Sequence, residues 1–186
     1  MSDEKFENYT RVSDILYPLS GLTNVDPEVL MNAATRGTRV HKICEAIASG
    51  IGEFEMDAEV MGYVYSFKKW WGSGKEVVEM EKRFFCDEHK ITGQCDFIIK
   101  EDGRLLIVDL KTSRSISKTW RLQGSAYSYL AKKDGYKIDG IQFIHLNPDG
   151  GEPTIVEYDE DWDFFLACLK VYNFFFKKTP RKIRKK

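Results

Sequence analysis

Two segments of this chain hold residues whose types and spacing could do chemistry. One reads Ile91-Thr92-Gly93-Gln94-Cys95-Asp96, and the other Leu106-Ile107-Val108-Asp109-Leu110-Lys111. On a strand, side chains alternate faces, so Asp109 and Lys111 share one face while Val108 and Leu110 share the other. The two segments are close enough in sequence to form a hairpin, which would bring Asp96 toward Asp109. Two converging carboxylates repel unless a cation lies between them, and hard oxygen donors suit Mg²⁺ or Mn²⁺. An exposed, salt-bridged strand face would be the better explanation of Asp109 and Lys111 if they stood alone. The apolar run 105–108 argues against that, because it marks an interior strand where a charge needs a partner or a function.

These residues must be positioned by regular elements, and the hydrophobic pattern supplies them. Asp26-Pro27 is a helix start, and the helix it opens should run to Ser49 and stop at Gly50, carrying Thr38, His41, Glu45 and Ala48 along one face. A second helix is expected over 57–71, ended by Gly72-Ser73-Gly74. The period then changes to strands at 77–86, 91–100 and 104–110, with Glu101-Asp102-Gly103 as a hairpin turn. A helix over 117–133 follows, with Trp120, Gln123, Tyr127 and Leu130 on one stripe. Strands at 140–145 and 154–158 and a helix over 160–176 complete the order, an α/β arrangement with a mixed β-sheet flanked by α-helices. Trp70-Trp71 and Phe174-Phe175-Phe176, at helix ends, are expected in the core rather than on a base-stacking surface.

The acid, acid and lysine of Asp96 and Asp109-Leu110-Lys111 resemble the PD-(D/E)XK nuclease superfamily. Three further elements, in order, resemble its RecB-like exonuclease branch: Arg36-Gly37-Thr38-Arg39-Val40-His41 with Glu45, Glu81 in Glu81-Lys82-Arg83-Phe84, and Gln123 with Tyr127 after the lysine strand. Glu79 lies two residues from Glu81 on the same expected strand face, so the choice of Glu81 rests on the resemblance. The branch members that carry an iron-sulphur cluster have three cysteines near the C-terminus, where this chain has only Cys168. The resemblance is therefore to cluster-free members, such as the mitochondrial genome maintenance exonuclease type and small phage-encoded nucleases.

The resemblance implies a restriction-endonuclease-like core and a metal-dependent DNA nuclease, an exonuclease on single-stranded or frayed ends that attacks the phosphodiester with metal-activated water. It implies Mg²⁺ or Mn²⁺ held by His41, Asp96, Asp109 and the backbone carbonyl of Leu110, with Lys111 beside the attacking water. By the same resemblance Glu81 reaches a second metal or the water, Gln123 and Tyr127 hydrogen-bond the site or the strand, and Arg36 grips a phosphate. A catalytically silent nucleic-acid-binding module of the same fold, or a structure-specific endonuclease, are the rival readings. No helicase motif is present, so a helicase or recombination partner would supply any unwinding.

Composition fits this frame. The 186 residues are 42% hydrophobic and 31% charged, as a soluble globular chain would be, and their length suits one domain over 1–176. The longest apolar run, 164–169, falls far short of the roughly 20 residues of a membrane span, and the polar N-terminus resembles no signal peptide, so a cytoplasmic protein is expected. Four scattered cysteines with no paired spacing make structural zinc improbable, and reduced, packed thiols are expected. The net charge of -1 hides an asymmetry. Seven of the 28 basic residues fall in 177–186 without an acid, leaving 21 against 29 acidic residues in the rest, a balance of -8. A basic tail on an acidic body suggests polyanion contact, with Lys182 and Arg184 among its phosphate-binding candidates, although a merely solvated chain end explains the charges equally well.

Overall fold

The computed structural model describes residues 8–52, 55–72 and 74–177. Its elements are β1 (Thr10–Arg11), α1 (Val12–Leu16), α2 (Pro27–Ala48), α3 (Ala58–Trp71), β2 (Lys75–Cys86), β3 (Ile91–Glu101), β4 (Arg104–Lys111), α4 (Thr119–Lys133), β5 (Gly140–His145), β6 (Thr154–Tyr158) and α5 (Trp162–Phe176). From α2 onward this is the order expected from the sequence. The strand-helix pair at 10–16 is additional. No helix among the described residues is long and apolar enough to cross a membrane.

The starts and turns follow from side-chain chemistry. The Asp26 carboxylate accepts the Glu28 amide at 2.8 Å and Asp57 accepts that of Glu59 at 3.1 Å, each satisfying an amide the helix leaves open. Asp102 and Gly103, both at positive φ, close the two-residue hairpin between β3 and β4, the left-handed turn that matches strand twist.

The mixed sheet runs β1-β3-β4-β5-β6, with β2 along the other edge of β3. Helices cover both faces. On one side Val12, Ile15, Leu130, Phe165 and Leu169 pack on Ile91, Cys95, Ile98 and Ile107; on the other Val40, Cys44, Val60 and Phe67 pack on Phe97, Ile99, Val108 and Leu110. Each such buried side chain contributes about 1.5–3 kcal/mol, so the strands carrying the polar residues are anchored by two cores. Cys44, Cys86 and Cys95 are buried within these clusters.

The aromatic run at the end of α5 departs from expectation. Phe174, Phe175 and Phe176 are 78%, 70% and 60% exposed, whereas Phe165 and Leu169 earlier on the same helix are buried. Trp70 does lie in the core, against Phe67. Lys182 and Arg184, with Lys178, Arg181, Lys185 and Lys186, lie outside the described residues.

Candidate active site

The site forms where the sheet opens. The ladder between β3 and β4 runs from Glu101 opposite Arg104 to Phe97 opposite Val108. At the other end of the same edge β1 covers only Ile91 and Thr92. Residues 93–96 between them have no strand partner on that edge among the described residues. The Asp96 carboxylate takes over there, its Oδ2 accepting the Leu110 amide at 2.6 Å while Oδ1 meets His41 Nδ1 from α2 at 3.0 Å. Asp96 thus ties β3 to β4 and to α2.

Glu81 faces the same point from β2. Its φ of 49° is a left-handed conformation that a non-glycine residue adopts only where its surroundings hold it. The distortion changes which way the strand faces. Met80 packs toward α2 and α3, whereas Glu79 is turned away and accepts from the Tyr136 hydroxyl. The sequence expectation that Glu79 and Glu81 share a face is therefore corrected, since the left-handed backbone at Glu81 breaks the alternation. The ligand atoms of His41, Glu81 and Asp96 all lie within 4.8 Å of one another.

Asp109 and Lys111 stand beside this cluster. Asp109 is buried and Lys111 Nζ lies 2.5 Å from its Oδ2. The same ammonium donates to Gln123 Oε1 at 2.9 Å, and Gln123 Nε2 donates to the Tyr127 hydroxyl at 2.8 Å, so α4 fixes the lysine. Two glycines permit the approach. A Cβ on Gly93 would come within 2.7 Å of the Tyr127 ring, and one on Gly124 within 2.4 Å of Ile141.

The electrostatics follow from crowding three carboxylates and two cations. Burial works against a charged His41, but the charge and hydrogen bond of Asp96 outweigh it, and the imidazole is pushed up to about 9. Burial would raise Asp96 too, yet His41 and the Leu110 amide hold it below the ordinary carboxylate range. Asp109 is pushed up to about 6 by burial, opposed by Lys111 and reinforced by Asp96. Burial and the Asp96 charge also raise Glu81. This donor set suits a divalent cation: one imidazole and two carboxylates converge, with a third carboxylate adjacent, and their mutual repulsion is what such an ion relieves. His41 would give up its proton to act as a ligand.

A cleft of about 1100 Å³ leads to these groups. Arg36 lines it, lying 5.5 Å over the Tyr63 ring and 3.9 Å from Glu59, with its buried Nε lacking a hydrogen-bond partner among the described residues. Thr38, Lys42, Glu45, Leu110 and Arg114 line it as well, and its outer wall is apolar, built from Leu22, Val25, Val29 and Ala33. Of the residues anticipated from the sequence, His41, Glu81 and Asp96 form one cluster, Asp109, Lys111, Gln123 and Tyr127 a hydrogen-bonded chain beside it, and Arg36 lies farther along the cleft.

Gln94 was not anticipated. Its Nε2 donates to Glu81 and its Oε1 accepts from Arg83, so it holds a cluster carboxylate. Its position two residues before Asp96 was the available signal, but the partners depend on strand register.

Fold and site together define a mixed α/β protein with an acid-acid-lysine centre at a gap in its sheet. A family model described as the PD-(D/E)XK nuclease superfamily matches residues 56–158, more than half of the chain, from before Glu81 to beyond Tyr127, and the chain belongs to that superfamily. Nucleases of this class use divalent metals. Among solved structures the chain is similar to SSO0001, at 18% identity and a TM-score of 0.56 over 96% of this chain and 85% of that one. It is also similar to a candidate exonuclease from Eubacterium rectale, at 11% identity and 0.54 over 93% and 80%. A search of curated proteins finds no match.

Proposed function

We propose that the protein is a metal-dependent exodeoxyribonuclease of the RecB-like, cluster-free kind, acting on single-stranded or frayed DNA ends. The observation that carries this reading is the convergence of His41, Glu81 and Asp96 within 4.8 Å beside the Asp109–Lys111–Gln123–Tyr127 chain. In this reading His41, Asp96 and Glu81 hold Mg²⁺ or Mn²⁺, with Asp109 and the Leu110 carbonyl completing the set. When bound, the ion supplies a water of lowered pKa and neutralises charge developing on the phosphoryl oxygen.

The rest is the work of the chain's own groups. Lys111, held between Asp109 and Gln123, orients the attacking water and stabilises it as it loses its proton. Tyr127 fixes the Gln123 amide, and through it the lysine. Arg36 binds a phosphate of the incoming strand with its guanidinium. The wall of Leu22, Val25, Val29 and Ala33 offers an apolar surface to unpaired bases, which a duplex would keep stacked inside; this supports a single-stranded substrate. The basic tail, with Lys182 and Arg184, adds phosphate contacts, and unwinding is left to a helicase or recombination partner.

The test is cleavage of end-labelled linear and covalently closed circular single strands in Mg²⁺, Mn²⁺ or EDTA. The reading expects mononucleotides or short fragments from the linear strand only, and none in EDTA. Cleavage of the circle at an equal rate would replace exonuclease by endonuclease, and no cleavage of either would leave the silent binding module.

A further inference from the structure

α5 carries two apolar faces, where a helix packed on one core needs only one. The first is covered: Phe165 and Leu169 are buried in the core, with Leu166 and Tyr172 packed beside them. The second is bare. Phe164, Val171 and Phe174 are 62%, 54% and 78% exposed, and Ala167 between them is exposed as well. These four residues follow one another at intervals of three, four and three, the a and d spacing of a helix that packs along another helix. Apolar stripes of this kind mark interaction surfaces. None of the four lines the cleft.

The borders of the stripe say what fits it. On the heptad that the stripe sets, Asp163, Lys170 and Lys177 fall seven residues apart along one border. All three are exposed, and among the described residues none has an ion-pair partner. A second copy of α5 laid antiparallel on the first brings Phe164 level with Phe174 and Ala167 level with Val171, so ring meets ring and the small residue meets the branched one. The same register sets Asp163 beside Lys177 of the second copy, and by symmetry Lys177 beside Asp163. Lys170 meets its own copy at the axis, where its long side chain turns into solvent. A parallel pairing would instead face Asp163 and Lys170 with Cys168 and Phe175, which offer no charge. A two-fold contact needs one patch that complements itself, and the antiparallel register supplies it in both shape and charge.

We propose that the bare face of α5 is the two-fold interface of a homodimer, formed by α5 packing antiparallel against α5 of a second copy of this chain. The proposal does not rest on the nuclease reading. A seam of four residues per copy is a small contact, so the dimer is a weak one, half-formed at on the order of 10 µM.

Sedimentation equilibrium of the full chain in EDTA, from about 1 to 200 µM, tests this, since dimer content follows protomer concentration. Wild type is expected to pass reversibly from monomer to dimer, while Val171→Asp and Phe174→Asp, both changes of exposed side chains, stay monomeric. Asp163→Lys should weaken association about tenfold, and adding Lys177→Asp to it should restore most of the loss. A short bismaleimide should link two copies of the wild type through their half-buried Cys168, and should fail in Cys168→Ser, because Cys44, Cys86 and Cys95 are buried. A melting curve confirms that each variant is folded. Wild type that stays monomeric throughout, association that survives both Val171→Asp and Phe174→Asp, or a charge swap that restores nothing overturns the proposal. Monomeric wild type that binds single strands more tightly than Phe174→Asp does would assign the face to nucleic acid and overturn it equally.

Discussion

The two halves of β3 differ in every respect that matters to the site. From Phe97 to Glu101 the strand is paired on both edges, to β2 and to β4, and Phe97, Ile98 and Ile99 are buried from both faces. From Gly93 to Asp96 one edge has no strand partner among the described residues, and Thr92, Gln94 and Asp96 form a polar row. The ordinary half fixes position, because a strand laddered on both edges between two cores has little freedom. The open half spends that rigidity on chemistry, presenting carboxylates where ladder hydrogen bonds would otherwise be. Charges held in a partly dry setting next to a rigid core are pre-organised, and they repel or attract more strongly than they would in water.

The largest expected effect falls on the open half of β3 and on the end of β4 beside it. Asp96→Asn, Asp109→Asn and Lys111→Ala should each lower cleavage by about 10³-fold or more while melting stays cooperative, as measured by single-turnover rates and by circular dichroism. The ordinary half should respond in the opposite way: Ile98→Ala is expected to cost about 2–5 kcal/mol of stability in urea denaturation, with the rate per folded molecule nearly unchanged. An Ile98→Ala protein that is stable but inactive would erase the distinction between the two halves.

A smaller effect tests how the cluster is supported. Gln94→Leu removes the amide that holds Glu81, and Mn²⁺ affinity by calorimetry should fall by about tenfold, the usual scale for groups that orient a ligand. His41→Ala should lose several-fold more activity in Mn²⁺ than in Mg²⁺, because nitrogen donors favour the transition metal; equal losses would make His41 a partner of Asp96 alone. The smallest effect concerns the tail. Truncation after Phe176 should flatten the salt dependence of single-strand binding by about 0.7 in slope for each phosphate that the tail neutralises, with the saturated rate unchanged.

Much of the scaffold was legible in the sequence, because strand and helix periods, the helix start at Asp26-Pro27 and the turn at Asp102-Gly103 are local signals. The pair β1 and α1 was not, since two and five residues are too few to show a period. The exposure of Phe174 to Phe176 was misread because aromatic content does not say which turns of a helix are covered by its neighbours. At the site, the residue types of Asp96, Asp109 and Lys111 could be read directly, and their likeness to a known pattern pointed to His41, Glu81, Gln123 and Tyr127. The opposite facing of Glu79 and Glu81 and the bridge made by Gln94 could not be read. Each depends on a left-handed residue or on the register between strands.

The central claim is that the gap between β3 and β4 is a divalent metal site. Calorimetric titration of Mn²⁺ into the wild-type chain and into Asp96→Asn, Glu81→Gln and Ile98→Val tests it most directly. The account predicts saturable binding by wild type and Ile98→Val, accompanied by a rise in melting temperature as the ion binds the folded state, and loss of both in Asp96→Asn and Glu81→Gln. Binding of equal affinity in Asp96→Asn would contradict it.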